Sequence, residues 1–295
     1  MTERIIDLSE EGASLSVRHA QLVIQRDDDK VTVPLNELAA LIVAHPGVHY
    51  THAVLTGICA QGGAVVLCNE KRMPTGMLLP IEAHFTQAER FAEQASASLP
   101  TKKRLWKQLV RAKVTAQGRL LKETKGDDCG IMELARRVRS GDTGNVEAQA
   151  SRRYWPALFG EDFTRDPDLG GVNSLLNYGY AVLRAMVARA ICAAGLHPSL
   201  GLHHHNRYNP FCLADDLMEP FRPVVDNAVF SLAVSSGDSA TLSKYTKRAL
   251  IKALTDKRFT LEVESRTLFD ILARLASSLA EVFAGERSKL LLPSF

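Results

Sequence analysis

The chain has 295 residues, of which 46% are hydrophobic and 23% charged, with 36 Lys/Arg against 33 Asp/Glu. This is the composition of a folded globular protein, long enough for about two domains of roughly 100–200 residues each, and it excludes global disorder, collagen-like repetition and a disulfide-built scaffold. The formal charge of +3 points by itself to no partner.

The chain begins Met1-Thr2-Glu3-Arg4, without the basic start and apolar run of a secretory signal, and it holds no uninterrupted apolar run of the ~18–20 residues a membrane helix needs. Five scattered cysteines (59, 68, 129, 192 and 212) form no Cys-x-x-Cys pair. Buried thiols in a reducing cytoplasm are the expectation.

In chain order, residues 4–8, 14–18, 21–25, 31–33, 41–43 and 64–68 are short, alternating or β-branched and predict strands. Residues 51–61 carry helical spacing stopped by Gly62-Gly63, and Pro74-Thr-Gly76 and Pro80 break the pattern. After Pro80 the apolar period becomes 3.6. Helices are predicted over 86–98, 102–123, 131–139, 145–158, 172–195, 213–219, 225–235, 240–255 and 266–284. The expected architecture is α+β: a small N-terminal β-rich domain (1–78), a linker (79–85) and a larger all-helical catalytic domain (86–295). The apolar end, residues 290–295, could fray, dock or bind a partner, and composition does not choose.

The charge is unevenly distributed. Residues 1–101 carry 7 Lys/Arg and 12 Asp/Glu, residues 102–153 carry 14 and 6, residues 154–240 carry 5 and 9, and residues 241–290 carry 10 and 6. Basic helical blocks around an acidic one suit a phosphodiester substrate, with cations holding phosphates and carboxylates holding a metal. Ordinary solvated helix faces are the alternative.

Gly201-Leu-His-His-His-Asn-Arg-Tyr-Asn leads into Leu213-Ala-Asp-Asp-Leu-Met-Glu-Pro-Phe-Arg. A loop histidine followed by helical carboxylates is a mixed nitrogen and oxygen donor set, suited to Mn2+, or to Mg2+ where carboxylate and water dominate. Asp216 and Glu219 share a helix face, with Leu217 and Met218 turned to the core. On an extended segment His203 and His205 face one side and His204 the other, so at most two of the three serve one ion. A second segment, Gly144-Asn-Val-Glu-Ala-Gln-Ala-Ser-Arg-Arg-Tyr-Trp, opens a helix with Asn145 as cap. Small residues beside Glu147 leave room for an ion or ligand. Arg152, Arg153 and Tyr154 follow as candidates for phosphate contact or base stacking.

Together these two segments resemble the CRISPR-associated spacer-acquisition integrase (endonuclease) family, in its type II flavour, along the whole chain. The resemblance implies a divalent ion, Mg2+ or Mn2+, held by Glu147, His204 and Glu219, with Asp216 as supporting acid. It implies joining of the 3′-OH ends of captured DNA into a CRISPR repeat by transesterification, with activity falling at acid pH through His204. Its implied partners are double-stranded DNA, a second copy of the chain in a homodimer, a small ferredoxin-like CRISPR-associated protein and the type II effector nuclease. Lys102, Lys103, Arg104 and Arg207 join Arg152, Arg153 and Tyr154 as candidate DNA contacts. The same residues would also support hydrolysis by a metal-dependent nuclease, and a non-catalytic DNA scaffold would leave the histidines structural.

Overall fold

The structure, a computed structural model, describes residues 3–69, 74–80, 82, 84–236 and 241–295. Met1 and Thr2, positions 81 and 83 of the predicted linker and residue 240 of the predicted 240–255 helix lie outside the described residues. The first part of the chain runs β1 (Arg4–Leu8), β2 (Ala13–Arg18), β3 (Gln21–Arg26), β4 (Asp29–Pro34), β5 (Leu38–Val43), β6 (Val48–Tyr50), α1 (His52–Ala60), β7 (Ala64–Cys68) and β8 (Pro74–Leu78). These strands form two four-stranded sheets, ordered β1-β5-β7-β8 and β4-β3-β2-β6.

Strand β5 lies between parallel neighbours, and all six of its residues are buried, as expected of a strand covered on both faces. Arg4 pairs with Leu38 and Ile5 with Ala40, so Ala39 is an extra residue. Beyond that bulge Leu41 and Val43 join Leu15, Leu22 and Val54 in the core of the strand-rich part. Ile42 turns instead to the helical core. Two strands of this part went unread in the sequence. The tripeptide β6 is too short for a period-2 signal, and Pro74-Thr-Gly76, read as a break, opens β8. A proline is tolerated there because β8 is an edge strand and Pro74 its first residue.

The remainder is α2 (Gln87–Ser96), α3 (Leu99–Lys125), α4 (Ile131–Arg137), α5 (Val146–Phe159), α6 (Val172–Ala193), α7 (Cys212–Met218), α8 (Arg222–Ser236), α9 (Lys244–Asp256), a hairpin of β9 (Arg258–Leu261) and β10 (Glu264–Thr267), and α10 (Leu268–Phe283). The hairpin occupies the gap between the last two predicted helices, so this part is helical apart from one two-stranded ribbon. Helix α3 starts where Ser98 accepts from Thr101 N and stops at Gly126, φ 83°. It is about 40 Å long at ~1.5 Å per residue. Its buried stripe of Leu105, Leu109, Val110, Val114 and Leu121 makes it the central helix of the core.

The two parts are stitched by buried polar contacts. The Tyr178 hydroxyl on α6 donates to Asp7 of β1, and Lys247 Nζ on α9 donates to Ser9 at 2.7 Å. The end of the chain docks on its own core. Leu290 N donates to Gln108, Ser294 N to Thr260 O, and the Phe295 ring packs on Phe221 and Phe259. No described helix is long and apolar enough to cross a membrane.

Candidate active site

The histidine loop is held at both ends. Before it, buried Gln94 on α2 donates to His197 O and Leu200 O and accepts from His197 N. Beyond it, Asp216 on α7 is fully buried and organises the loop. One carboxylate oxygen accepts from Leu202 N at 2.6 Å and His203 N at 3.0 Å. The other accepts from His204 N at 3.3 Å and meets His204 Nδ1 at 2.6 Å. Because a carboxylate only accepts, Nδ1 carries the proton of this pair, and the neutral imidazole keeps its lone pair on Nε2. That hydrogen bond raises the His204 pKa above its ordinary value, against the opposing effect of desolvation. Gly201 has no room for a side chain. A Cβ there would lie 2.5 Å from His204 O and 3.0 Å from Asp216 Oδ2. His203 stacks flat on Trp106, ring centroids 4.3 Å apart, which leaves His204 as the histidine joined to an acid.

Glu147 stands in the first turn of α5. Asn145 occupies the cap position in a left-handed conformation, φ 49°, but its side chain makes no cap hydrogen bond. Asp142 does that work, accepting from Val146 N at 2.9 Å and Glu147 N at 3.0 Å. Lys113 Nζ, on α3, donates to Glu147 Oε1 at 2.6 Å and lies 2.5 Å from Glu219 Oε2. Glu219 Oε1 meets Arg222 Nε at 2.9 Å. Burial pushes the Glu219 carboxyl up, but Arg222 and then Lys113 prevail and hold it below the ordinary carboxylate range. Burial likewise opposes the charge on Lys113, and Glu219 and Glu147 together overcome it and raise the ammonium pKa.

The fold therefore brings Glu147 and Glu219 to one cation and joins His204 to Asp216. Among the described residues no three His, Cys, Asp or Glu side chains form a ready metal cage. The donor chemistry nevertheless fits a divalent ion. Two carboxylates, one of them buried, face a shared positive charge, and His204 retains an imidazole nitrogen lone pair.

Of the candidate DNA contacts, Lys103, Arg104, Arg152, Arg153 and Arg207 are exposed and Lys102 half-buried. A groove of about 740 Å³ beside the loop is lined by Lys102, His204, His205, Arg207 and Tyr208 among others. Tyr154 does not belong with them. It is fully buried, and its hydroxyl donates to Asp226 at 2.8 Å. Val146, Ala150, Tyr154 and Leu158 recur every four residues along α5, a buried stripe that assigns Tyr154 to the core.

The buried Asp226 accepts from both Tyr154 and Tyr180. Burial pushes its carboxyl up to about 6, although the Tyr180 and Tyr154 hydrogen bonds pull it down. A folded-state value above the unfolded ~3.9 means that this group favours folding while protonated, at acid pH, and that the contribution is lost as pH rises through 6. Asp226→Asn should therefore gain on the wild type between pH 4.5 and 7.5, by on the order of 2 kcal/mol in urea denaturation. A stability difference that does not change with pH would refute this.

Residues 6–264 match the family model described as CRISPR associated protein Cas1. The chain belongs to the Cas1 family. It is 39% identical over 284 residues to the CRISPR-associated endonuclease Cas1 of Neisseria meningitidis serogroup C (strain 8013), covering 96% of this chain and 92% of that protein. It is 28% identical over 311 residues to a Cas1 endonuclease of Francisella tularensis subsp. novicida, covering 95% and 96%. Among solved structures its fold is shared by a casposase bound to integration product, with TM-score 0.78, 19% identity and coverage of 98% of this chain and 92% of that one. A Cas1 protein from Thermotoga maritima has TM-score 0.76, 17% identity and coverage of 96% and 98%.

Three residues of this Cas1-family site carry no motif of their own: Lys113, Asp142 and Gln94. Lys113 had a readable signal. It falls on the α3 stripe with Leu109, Val110 and Val114, so an inward lysine was implied by the helical period. Asp142 precedes its helix by four positions across a glycine-bearing turn, and Gln94 reaches residues more than 100 positions away. No local pattern specifies either contact.

Proposed function

We propose that this chain is a divalent-metal-dependent DNA integrase/endonuclease of CRISPR adaptation that joins the 3′-OH ends of short captured DNA into a CRISPR repeat by transesterification. The observation that carries the reading is the meeting of Glu147 and Glu219, 72 positions apart, at one ammonium. Family membership, a relative named as an endonuclease and the shared fold of a casposase bound to integration product support it. Glu147, Glu219 and His204 would hold Mg2+ or Mn2+, which when bound would polarise the phosphodiester and steady the attacking and leaving oxygens. Asp216 keeps the His204 proton on Nδ1. Arg222 keeps Glu219 ionised and oriented. Lys102, Lys103, Arg104, Arg152, Arg153 and Arg207 would grip the DNA backbone without reading sequence.

One solved relative of the fold is a Cas6-RT-Cas1–Cas2 complex and another a Cas1–DNA complex. Those complexes are consistent with DNA and a Cas2 partner for this chain, which would work on double-stranded DNA with a small CRISPR-associated partner, in the cytoplasm. Residues 1–78 would serve as its homodimer surface and 86–295 as its catalytic domain. The test combines the protein, Mn2+ or Mg2+, a short duplex with free 3′ ends and a repeat-bearing plasmid, with and without the small partner. Covalent joining is the expected result. Cutting without joining would leave a hydrolytic nuclease, and inertness in every metal would leave a scaffold. Replacing both Arg152 and Arg153 by Ala should lower the slope of log affinity against log salt by about 0.9 for each phosphate contact removed. An unchanged slope would remove the two arginines from the interface.

A further inference from the structure

We propose that Lys113 is a built-in counter-cation which a divalent ion must displace, so that loading this site exchanges an ammonium for a metal. The inference rests on the metal-site reading above. Both oxygens of Glu219 are already engaged, Oε2 by Lys113 at 2.5 Å and Oε1 by Arg222 at 2.9 Å, and Lys113 also holds Glu147 Oε1 at 2.6 Å. Without an ion the centre balances, two carboxylates against two cations. A divalent ion on the same carboxylates would set its charge within a few ångströms of the ammonium, in a place where Lys113 is only 7% exposed. Water screens little there, and the repulsion far exceeds its value in bulk solvent.

Of the two cations, Lys113 is the one free to leave. Arg222 presents a planar guanidinium that also lies over the Tyr180 ring, 4.6 Å from its centroid. Lys113 ends in a point charge on a flexible four-carbon stem. The same contact explains why Glu147 and Glu219 can approach each other, because a shared counter-ion cancels a repulsion that would otherwise part α5 from the turn carrying Glu219.

The test compares Lys113→Met with the wild type by thermal melting in EDTA and by calorimetric titration with Mn2+. In EDTA the variant should melt at a lower temperature, since two carboxylates lose their common partner. It should bind Mn2+ about tenfold or more tightly, equivalent to ~1.4 kcal/mol, and gain more thermal stability from Mn2+ than the wild type does. Equal or weaker Mn2+ affinity in the variant, or an unchanged melting temperature in EDTA, would overturn the proposal while leaving the metal site in place. Absence of Mn2+ binding in both proteins would overturn the metal site and the exchange together. Should the variant not fold, amine acylation of the wild type decides. Lys113, followed by mass spectrometry, should be modified faster in Mn2+ than in EDTA, and equal or slower modification in Mn2+ would overturn the exchange.

Discussion

Glu147→Gln should abolish strand joining and leave the fold almost untouched, whereas Glu219→Gln should cost both. The difference lies in burial and partners. The Glu147 side chain is 26% exposed and pairs with Lys113, which retains Glu219 when Glu147 is neutralised. The stability cost at such a partly solvated pair is at most about 1 kcal/mol. The Glu219 side chain is 4% exposed and answers two cations, Lys113 and Arg222. Removing its charge strips the partly buried Arg222 of its carboxylate, a change worth roughly 3 kcal/mol, the low end for a buried pair because Arg222 keeps some contact with water. Joining should fall at least about a hundredfold in both, the upper end of what disturbing even outer partners of a metal site costs. Denaturant midpoints and an integration assay on the same preparations separate the two effects. A folded Glu147→Gln protein that joins at the wild-type rate would end the catalytic assignment and favour the scaffold.

The sequence made the architecture legible where side-chain period dominates. Alternation marked β2, apolar runs marked β3 and β7, and 3.6-residue spacing marked every long helix. It was silent where backbone conformation was carried by unexpected residues. Glu262 and Val263, at φ 49° and 73°, turn the β9–β10 hairpin in conformations that Asn-Gly would have announced. The acids and histidines of the site were legible because their residue types are rare together. Their geometry was not, since it depends on Asp142 and Gln94, whose partners no local pattern specifies until the helices are packed. Tyr154 shows the opposite error. Its neighbours Arg152 and Arg153 drew it to the surface, while its position on the α5 stripe placed it in the core.

Asp216→Ala should be the most damaging change outside the three proposed ligands. One side chain accepts from Leu202 N, His203 N and His204 N and also fixes His204 Nδ1, so its removal strands three backbone donors and frees the imidazole at once. Each buried donor left without a partner costs about 1–3 kcal/mol, less where the loop can relax into water. Several kcal/mol of lost stability and loss of joining are therefore expected together. Asp216→Asn is the sharper probe because it keeps shape and volume. Its single carbonyl oxygen can serve the Leu202 and His203 amides or the His204 side, but not both, and its amide group faces N–H donors on the other. The folded Asn variant should bind Mn2+ roughly 10–100-fold more weakly than the wild type, because an imidazole without its acid loses both orientation and basicity. Gly201→Ala attacks the same loop from the other side, by driving a methyl into His204 O, and should reproduce the loss of joining. Wild-type Mn2+ affinity in folded Asp216→Asn would show that Asp216 shapes the loop alone and leaves His204 outside the site.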